Sequence, residues 1–282
     1  MILTICKTTN GSIRRVCKVL DLPKSSYYSA AKETVRQASD REVGDLIEEV
    51  FHAHKRRYGY RRIGAELRDR GAACSPSRIR RLMKSRRLFA IQPRRHTPRT
   101  SDGAAPVPAS NLLQGKPLPI APNRVWTGDI TYIKIASGWA YLAVVIDLYS
   151  RRIIGWSIAE HMRTSLVTDA LNKAIALRKP AEGVIFHSDR GSQYGSAEFR
   201  TMLKRAGLKQ SMSAKANPYD NAWTESFMGT LKSEQVRAKR YQNLQEARQD
   251  LFEYIDGYYN TIRKHSAIDY FSPNQRERRS LN

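Results

Sequence analysis

Cysteine is scarce: Cys6, Cys17 and Cys74 are the only three in 282 residues. Three scattered thiols cannot build a disulfide framework. With no Cys pair at zinc spacing beside His52 and His54, no zinc site is expected. No run of about 18 apolar residues occurs, so no membrane span is expected. The opening Met1–Lys7 is too short for the apolar core of a signal peptide, and a cytoplasmic protein is the simplest expectation. Acids are few as well, 26 Asp and Glu against 49 Lys and Arg, which leaves a formal charge of +23. Such an excess argues for a polyanionic partner, most simply nucleic acid; a basic, ribosome-like protein is the bland alternative.

The positive charge is concentrated. Between Lys55 and Arg99 there are 16 Lys or Arg and two acids, Glu66 and Asp69. After Tyr58-Gly59-Tyr60 the pattern predicts a helix burying Ile63, Ala65 and Leu67. Ser75 then caps, and Pro76 opens, a second helix over Ser77–Arg87 with Ile79, Leu82 and Met83 inward. Two helices and a short turn fit a helix-turn-helix whose second helix enters the major groove. The expected DNA contacts are Arg56, Arg57, Arg61, Arg62, Arg78, Arg80, Arg81 and Lys84. Arginines hold phosphates as readily as they read bases, so both roles stay open. Upstream, residues 12–31 fit two short helices broken at Leu22-Pro23, either another helix-turn-helix or a helical hairpin; a helical pattern through Val43, Leu46, Ile47 and Val50 follows. Residues 91–123 hold 7 of the 12 prolines, as a semi-extended spacer would. Its Arg94 and Arg95 are further candidate DNA contacts. The expected domains are therefore 1–32, 33–90, a linker 91–122, an α/β domain 123–240, and a C-terminal helix with a basic, frayed tail over 241–282.

Within the α/β domain the order reads strand, strand, strand, helix, strand, helix, strand, helix. Three hairpin-linked strands followed by alternation imply a mixed sheet flanked by helices. Val125–Ile133 reads as a strand in which Asp129 shares a side with apolar Val125, Ile133 and Ile135, a costly position for an ionised acid unless a cation pairs with it. Val184-Ile185-Phe186 ends near a second carboxylate, Asp189, at a strand mouth. A third, Glu225, sits on a helix whose Trp223, Phe227, Met228 and Leu231 form an apolar arc, while Lys232 falls with Glu225 on another arc. Three carboxylates from two strands and a helix are what hard divalent cations need, and two such ions can serve an in-line phosphodiester displacement. Lys232 is assigned to a phosphate, and Lys215 and Asn217 to the DNA backbone. His187 shares the side of Asp189, as a proton relay, a phosphate contact or a satisfied core histidine. Asp147 reads as a turn acid capping Ser150, Thr164 as the cap of the first long helix, and Leu244 to Ile262 as one apolar stripe.

An Asp, a second Asp, then a Glu after 35 intervening residues, with a Lys seven beyond it, resembles the acidic triad of retroviral integrases and insertion-sequence transposases. The segments WTGDITYI, YLAVVIDLYSRRIIGWSI, HSDRGSQY and NPYDNAWTESFMGTLKSE closely resemble the second-reading-frame transposase of the insertion-sequence-three family. The resemblance implies a ribonuclease-H-like catalytic core with a mixed five-stranded sheet, preceded by an all-α helix-turn-helix region. It implies Asp129, Asp189 and Glu225 as metal-binding catalytic residues, two Mg²⁺ or Mn²⁺ ions per site, and double-stranded DNA, as terminal inverted repeats and target, for substrate. It also implies a homo-oligomer on DNA and an upstream-frame partner or fusion. A catalytically inactive DNA-binding regulator, and a nuclease of the same fold that never joins strands, are the alternatives.

Overall fold

The computed structural model describes residues 12–92, 109–213 and 222–280, which divide into two compact units, residues 1–91 and 92–282. The expectations for Arg94, Arg95, Lys215 and Asn217 fall outside the described residues.

The first unit is helical. Helix α1 (Ile13–Val19) is capped by Ser12, whose side chain accepts from the Arg15 amide. Helix α2 runs over 30 residues, Lys24–Ala53, so the second of the two short helices read from residues 12–31 is instead the start of one long helix. Pro23 lies just before it, where a missing N–H costs nothing. Helices α3 (Tyr60–Asp69) and α4 (Pro76–Ser85) follow. Ser75 caps α4 as read, and Ile63, Leu67, Ile79, Leu82 and Met83 are buried with Ile47, Val50 and Phe51 of α2. The acids of α2 reach across to the arginines of α3 and α4: Asp40 pairs with Arg78 and Arg81, Glu49 with Arg70, and Asp45 and Glu48 with Arg86.

The second unit is built on five strands, β1 (Val125–Ile135), β2 (Gly138–Asp147), β3 (Ile153–Ala159), β4 (Ile185–Ser188) and β5 (Lys209–Met212), in the order β3-β2-β1-β4-β5. The pairs β1–β2 and β2–β3 are antiparallel, while β1–β4 and β4–β5 are parallel. Helix α5 (Thr164–Arg178) crosses back from β3, and α6 (Ala197–Arg205) links β4 to β5. Helix α7 (Ala222–Leu231) and helix α8 (Leu244–Phe252) follow, each continuing into a π-turn, at Lys232–Val236 and Glu253–Tyr259.

Strand β2 explains the architecture. Its alternate residues face two different cores, Leu142, Val144 and Ile146 toward α7 and α8, and Ala143 and Val145 toward α5 and α6. A strand covered on both faces is apolar throughout, which is why it reads as an unbroken run. Helix α5 comes unusually close to β3. A Cβ on Gly155 would lie 2.2 Å from the Ala170 carbonyl oxygen and 2.8 Å from the Ala174 nitrogen. Both obstacles are backbone, so Gly155→Ala is expected to destabilise the unit by about 1–3 kcal/mol, read as a fall in denaturation midpoint; an unchanged midpoint would mean that helix and strand can separate freely.

Several local expectations are corrected. Thr164 is the first residue of α5, whose cap is Arg163 with no side-chain hydrogen bond, because the chain turns helical one residue earlier than a threonine cap requires. Asp147 accepts from the amides of Asn123 and Tyr149 and does not cap Ser150, whose hydroxyl donates to Glu277. The stripe from Leu244 ends early. The π-turn adds a residue to its turn and shifts the phase, so Tyr254, Ile255 and Tyr259 are buried and Ile262 is exposed. Arg263, Lys264 and His265, just after that stripe, are buried despite their basic side chains. The tail is not frayed over 273–279. Ser272 and Gln275 form a capping box that starts α9 (Pro273–Arg279), and its Glu277 pairs with Arg152 and Arg178.

Candidate active site

Strand register brings the first two carboxylates together. In the parallel pair, Gly128 stands beside Ser188, so the next residues along, Asp129 and Asp189, leave the two strands at the same level and on the same side. Neighbouring strands lie roughly 4.8 Å apart, which sets the scale of their separation. One oxygen of each is fixed by a backbone amide: Asp129 Oδ1 accepts from Ile130 at 2.8 Å, and Asp189 Oδ1 from Gly191 at 2.9 Å.

The third carboxylate arrives through a buried pair of hydroxyls. Thr224 Oγ1 donates to Thr127 Oγ1 at 2.9 Å. Thr127 is two residues before Asp129 on the same face of β1, and Thr224 is the neighbour of Glu225 in the first turn of α7. This single bond pins the start of α7 over the strand. Phe227, Met228 and Leu231 are buried beneath it, while Glu225 stays exposed. The half-buried Trp223 has the Arg151 guanidinium 5.8 Å from its ring centroid.

Electrostatics register the gathering of acids. Burial, then the charge of Asp189, and further on that of Glu225, push the Asp129 carboxyl up to about 8; the Ile130 amide and Lys232 act in the opposite sense. Asp189 is raised too, by burial, against the pull of the Gly191 amide. Lys232 is lowered, first by burial and then by Arg237, although Asp129 favours its charge. Three carboxylates with one poorly solvated ammonium form a set short of positive charge, and all-oxygen donors of this kind suit Mg²⁺ or Mn²⁺. Among the described residues no group of three or more His, Cys, Asp or Glu is gathered closely enough to hold an ion as it stands. Glu225 is the acid that lies on a helix following undescribed residues 214–221.

His187 is wholly buried. Its Nδ1 lies 2.8 Å from Ser211 Oγ and its Nε2 3.2 Å from Ser213 Oγ, tying β4 to β5 directly below Asp189. Arg190 Nε donates to the Ser213 carbonyl from the other side of Asp189. Sequence reasoning missed Tyr194, which is buried against Phe186 and Phe199, with a phenol raised well above its usual range by burial and then by Asp129 and Asp189. It also missed the Thr127–Thr224 pair. A threonine two residues before Asp129, on the same face of β1, was the available signal.

In the first unit the expected contacts separate into groups. Arg78 and Arg81 are engaged by Asp40, Arg57 is buried, and Arg62 donates to the Arg57 carbonyl. Arg56 is exposed, with a 3.5 Å hydrogen bond to the Phe89 carbonyl. Arg61 and Arg80 lie 5.3 and 5.4 Å from the centroid of the Tyr60 ring, and Lys84 is exposed on the same outward stripe of α4 as Arg80.

Two integrase core domain family models match residues 119–218 and 206–273, and an HTH-like domain model matches residues 38–96. The chain is 41% identical over 244 residues to the transposase for insertion sequence element IS904 of Lactococcus lactis, covering 86% of this chain and 96% of that protein. It is 38% identical over 275 residues to transposase InsF for insertion sequence IS3A of Escherichia coli, covering 96% and 95%. Among solved structures it is similar to the HTLV-2 integrase catalytic core domain in complex with magnesium, at 18% identity and a TM-score of 0.43, covering 56% of this chain and 98% of that one.

Proposed function

Because the chain belongs to the integrase-core transposases of bacterial insertion sequences, we propose that Asp129, Asp189 and Glu225 are its catalytic carboxylates and that they hold two divalent cations against a DNA phosphodiester. The observation that carries this reading is the parallel register that sets Asp129 and Asp189 level at the ends of neighbouring strands, with the Thr127–Thr224 bond holding the start of the Glu225 helix against the same strand. Cations bound there would neutralise charge developing on the reacting phosphodiester. The chain's own residues do the rest. The amides of Ile130 and Gly191 fix one oxygen of each Asp and leave the other to bind. Thr127 and Thr224 hold α7 so that Glu225 closes on the pair. Lys232, close enough to act on Asp129, presents an ammonium to a non-bridging phosphate oxygen.

The reaction comprises two displacements at phosphorus. Water attacks at the end of the element, the P–O3′ bond breaks, and the departing oxygen takes up a proton to become a free 3′-hydroxyl. That hydroxyl then attacks a second phosphodiester, forming one P–O bond as another breaks, so no covalent protein–DNA intermediate is needed. The helical unit holds the DNA through basic side chains that have no carboxylate at ion-pair distance among the described residues, foremost Arg61, Arg80 and Lys84. Joining two DNA ends in register calls for more than one copy of the chain, with an upstream-frame partner or fusion as a further participant.

The test uses the whole chain, a labelled duplex carrying the element's terminal repeat, and a supercoiled target. With Mg²⁺, nicked product followed by products of new size from joined strands are expected, and EDTA is expected to abolish both. Nicking without joined product would leave a nuclease; neither product, with DNA binding intact, would leave a DNA-binding regulator.

A further inference from the structure

Toward the end of β1, on the face opposite Asp129, lies an aromatic surface of which only the neighbouring Lys232 enters the chemistry above. Tyr132 of β1 and Trp139 of β2 stand diagonally across the antiparallel ladder, in which Tyr132 pairs with Tyr141 and Lys134 with Trp139. Their rings meet edge to face, with centroids 5.1 Å apart and an interplanar angle of 89°. Yet 54% of Tyr132 and 47% of Trp139 remain in solvent. Large aromatics on one flank of a strand pair are ordinarily buried, and exposed ones mark contact sites.

The charges around the rings indicate what that contact is. Lys232 Nζ lies 4.1 Å from the Tyr132 ring centroid and Lys134 Nζ 5.0 Å from that of Trp139. Among the described residues neither lysine has a carboxylate at ion-pair distance. Two aromatic faces between two unneutralised cations make the combination by which proteins hold single-stranded nucleic acid, rings for the bases and ammonium groups for the phosphates. A second copy of this chain, equally basic, would meet the same lysines and be repelled.

The location fits. Lys232 is shared: the same ammonium that lies over Tyr132 also acts on Asp129. Along β1, Tyr132 is three residues, or about 10 Å, beyond Asp129 and therefore on the opposite face of the strand; β4 pairs with β1 only as far as Gly128, so the flank between the two residues has no strand beside it, and it is there that the Lys232 ammonium lies over Tyr132. A DNA strand that crosses this flank with a phosphate at Lys232 can place a base on the aromatic pair and a neighbouring phosphate at the carboxylates.

We propose that Tyr132 and Trp139, flanked by Lys134 and Lys232, form a stacking platform for one unpaired base of the DNA strand lying at the carboxylates. The platform selects ends whose terminal pairs have opened, since a base inside a duplex keeps its faces against its neighbours. This inference rests on the phosphodiester chemistry proposed above, but its test does not require cleavage.

The full chain is titrated in EDTA and about 0.3 M NaCl, which weakens contacts made to phosphates alone, with an oligothymidylate dodecamer and, separately, a blunt duplex of equal length. The dodecamer is expected to quench tryptophan emission, and Trp139→Phe to remove most of that quench. The double variant Tyr132→Ala with Trp139→Ala is expected to bind the dodecamer about tenfold or more weakly, as the loss of one stacked base implies, and the duplex within about twofold of wild type. Both side chains are half exposed, so folding is expected to persist, with an unchanged circular dichroism spectrum as the control. A quench that survives in Trp139→Phe, or equal weakening for both nucleic acids, would overturn the platform. So would a double variant that binds the dodecamer normally but has lost a concentration-dependent sedimentation shift, which would make this face a contact between copies. Failure of the chemistry would show elsewhere, as wild-type protein that quenches normally but cuts nothing in Mg²⁺.

Discussion

Asp129→Asn is expected to reduce cutting of element-end DNA in Mg²⁺ by about 10³-fold or more while DNA binding stays intact. The substitution keeps the shape of the side chain and removes the charge, so the effect reads the cation-holding role; charge stabilisation of several kcal/mol corresponds to that many decades of rate. Cleavage within tenfold of wild type would remove Asp129 from the carboxylate set. The same variant carries a second signature without DNA. The Asp129 pKa in the folded chain, about 8, lies far above the ordinary 3.8, so between those values the folded state holds a proton that the unfolded state has lost. Metal-free wild-type stability should therefore fall steadily as pH rises through that window and level off above its upper end, where the accumulated loss is greatest. The asparagine variant should lack this fall and exceed wild type in thermal midpoint by a few degrees near pH 8. Stabilisation by added Mg²⁺, which must displace the proton, should grow with pH in wild type and vanish in the variant.

The second large effect lies at the far end of α7. Glu234, in the π-turn that prolongs this helix, is buried and receives Arg263 Nε at 2.9 Å, Arg263 Nη2 at 2.6 Å and the Tyr254 hydroxyl at 2.9 Å. Burial alone would lower the guanidinium pKa, but the bonds to Glu234 outweigh it and leave Arg263 raised. Arg263→Met should strand Glu234 as an uncompensated buried charge, at a cost of about 3–5 kcal/mol. For a unit of this size that corresponds to a midpoint lower by roughly 10 °C. Adding Glu234→Gln should recover much of the loss, because no lone charge is then buried. A single variant as stable as wild type, or a double variant worse than the single, would show that the pair is not what holds this end of the helix.

What the sequence disclosed, and what it hid, follows from the range of each interaction. Ser75, Ser196 and Asn243 cap helices with bonds to residues three positions away, so a window of a few residues reveals them. The succession of strands and helices along the chain was legible from apolar patterning, while the spatial order β3-β2-β1-β4-β5 was not. The level placement of Asp129 and Asp189 needed the parallel register, and Thr127–Thr224 spans 97 positions. The π-turns escaped because their shift of phase follows from tertiary packing, as the i→i+5 bonds from Arg237 to Lys232 and from Asn260 to Ile255 record. The burial of Arg263 and Glu277 is beyond any local window, because their partners lie 29 residues away for Arg263, and 99 and 125 residues away for Glu277.

The two outer strands of the sheet carry one more implication. Asn260 presents its amide to β3 as a neighbouring strand would, donating to the Ile153 carbonyl and accepting from the Ile153 amide, and Lys173 and Arg248 cover the Trp156 and Ile158 carbonyls. At the opposite border the Met212 amide is taken by Ser110. Backbone groups left open at such borders invite strands of other molecules. With both borders already engaged from within, many molecules at high local concentration can stay discrete and avoid polymerising into fibrous aggregates.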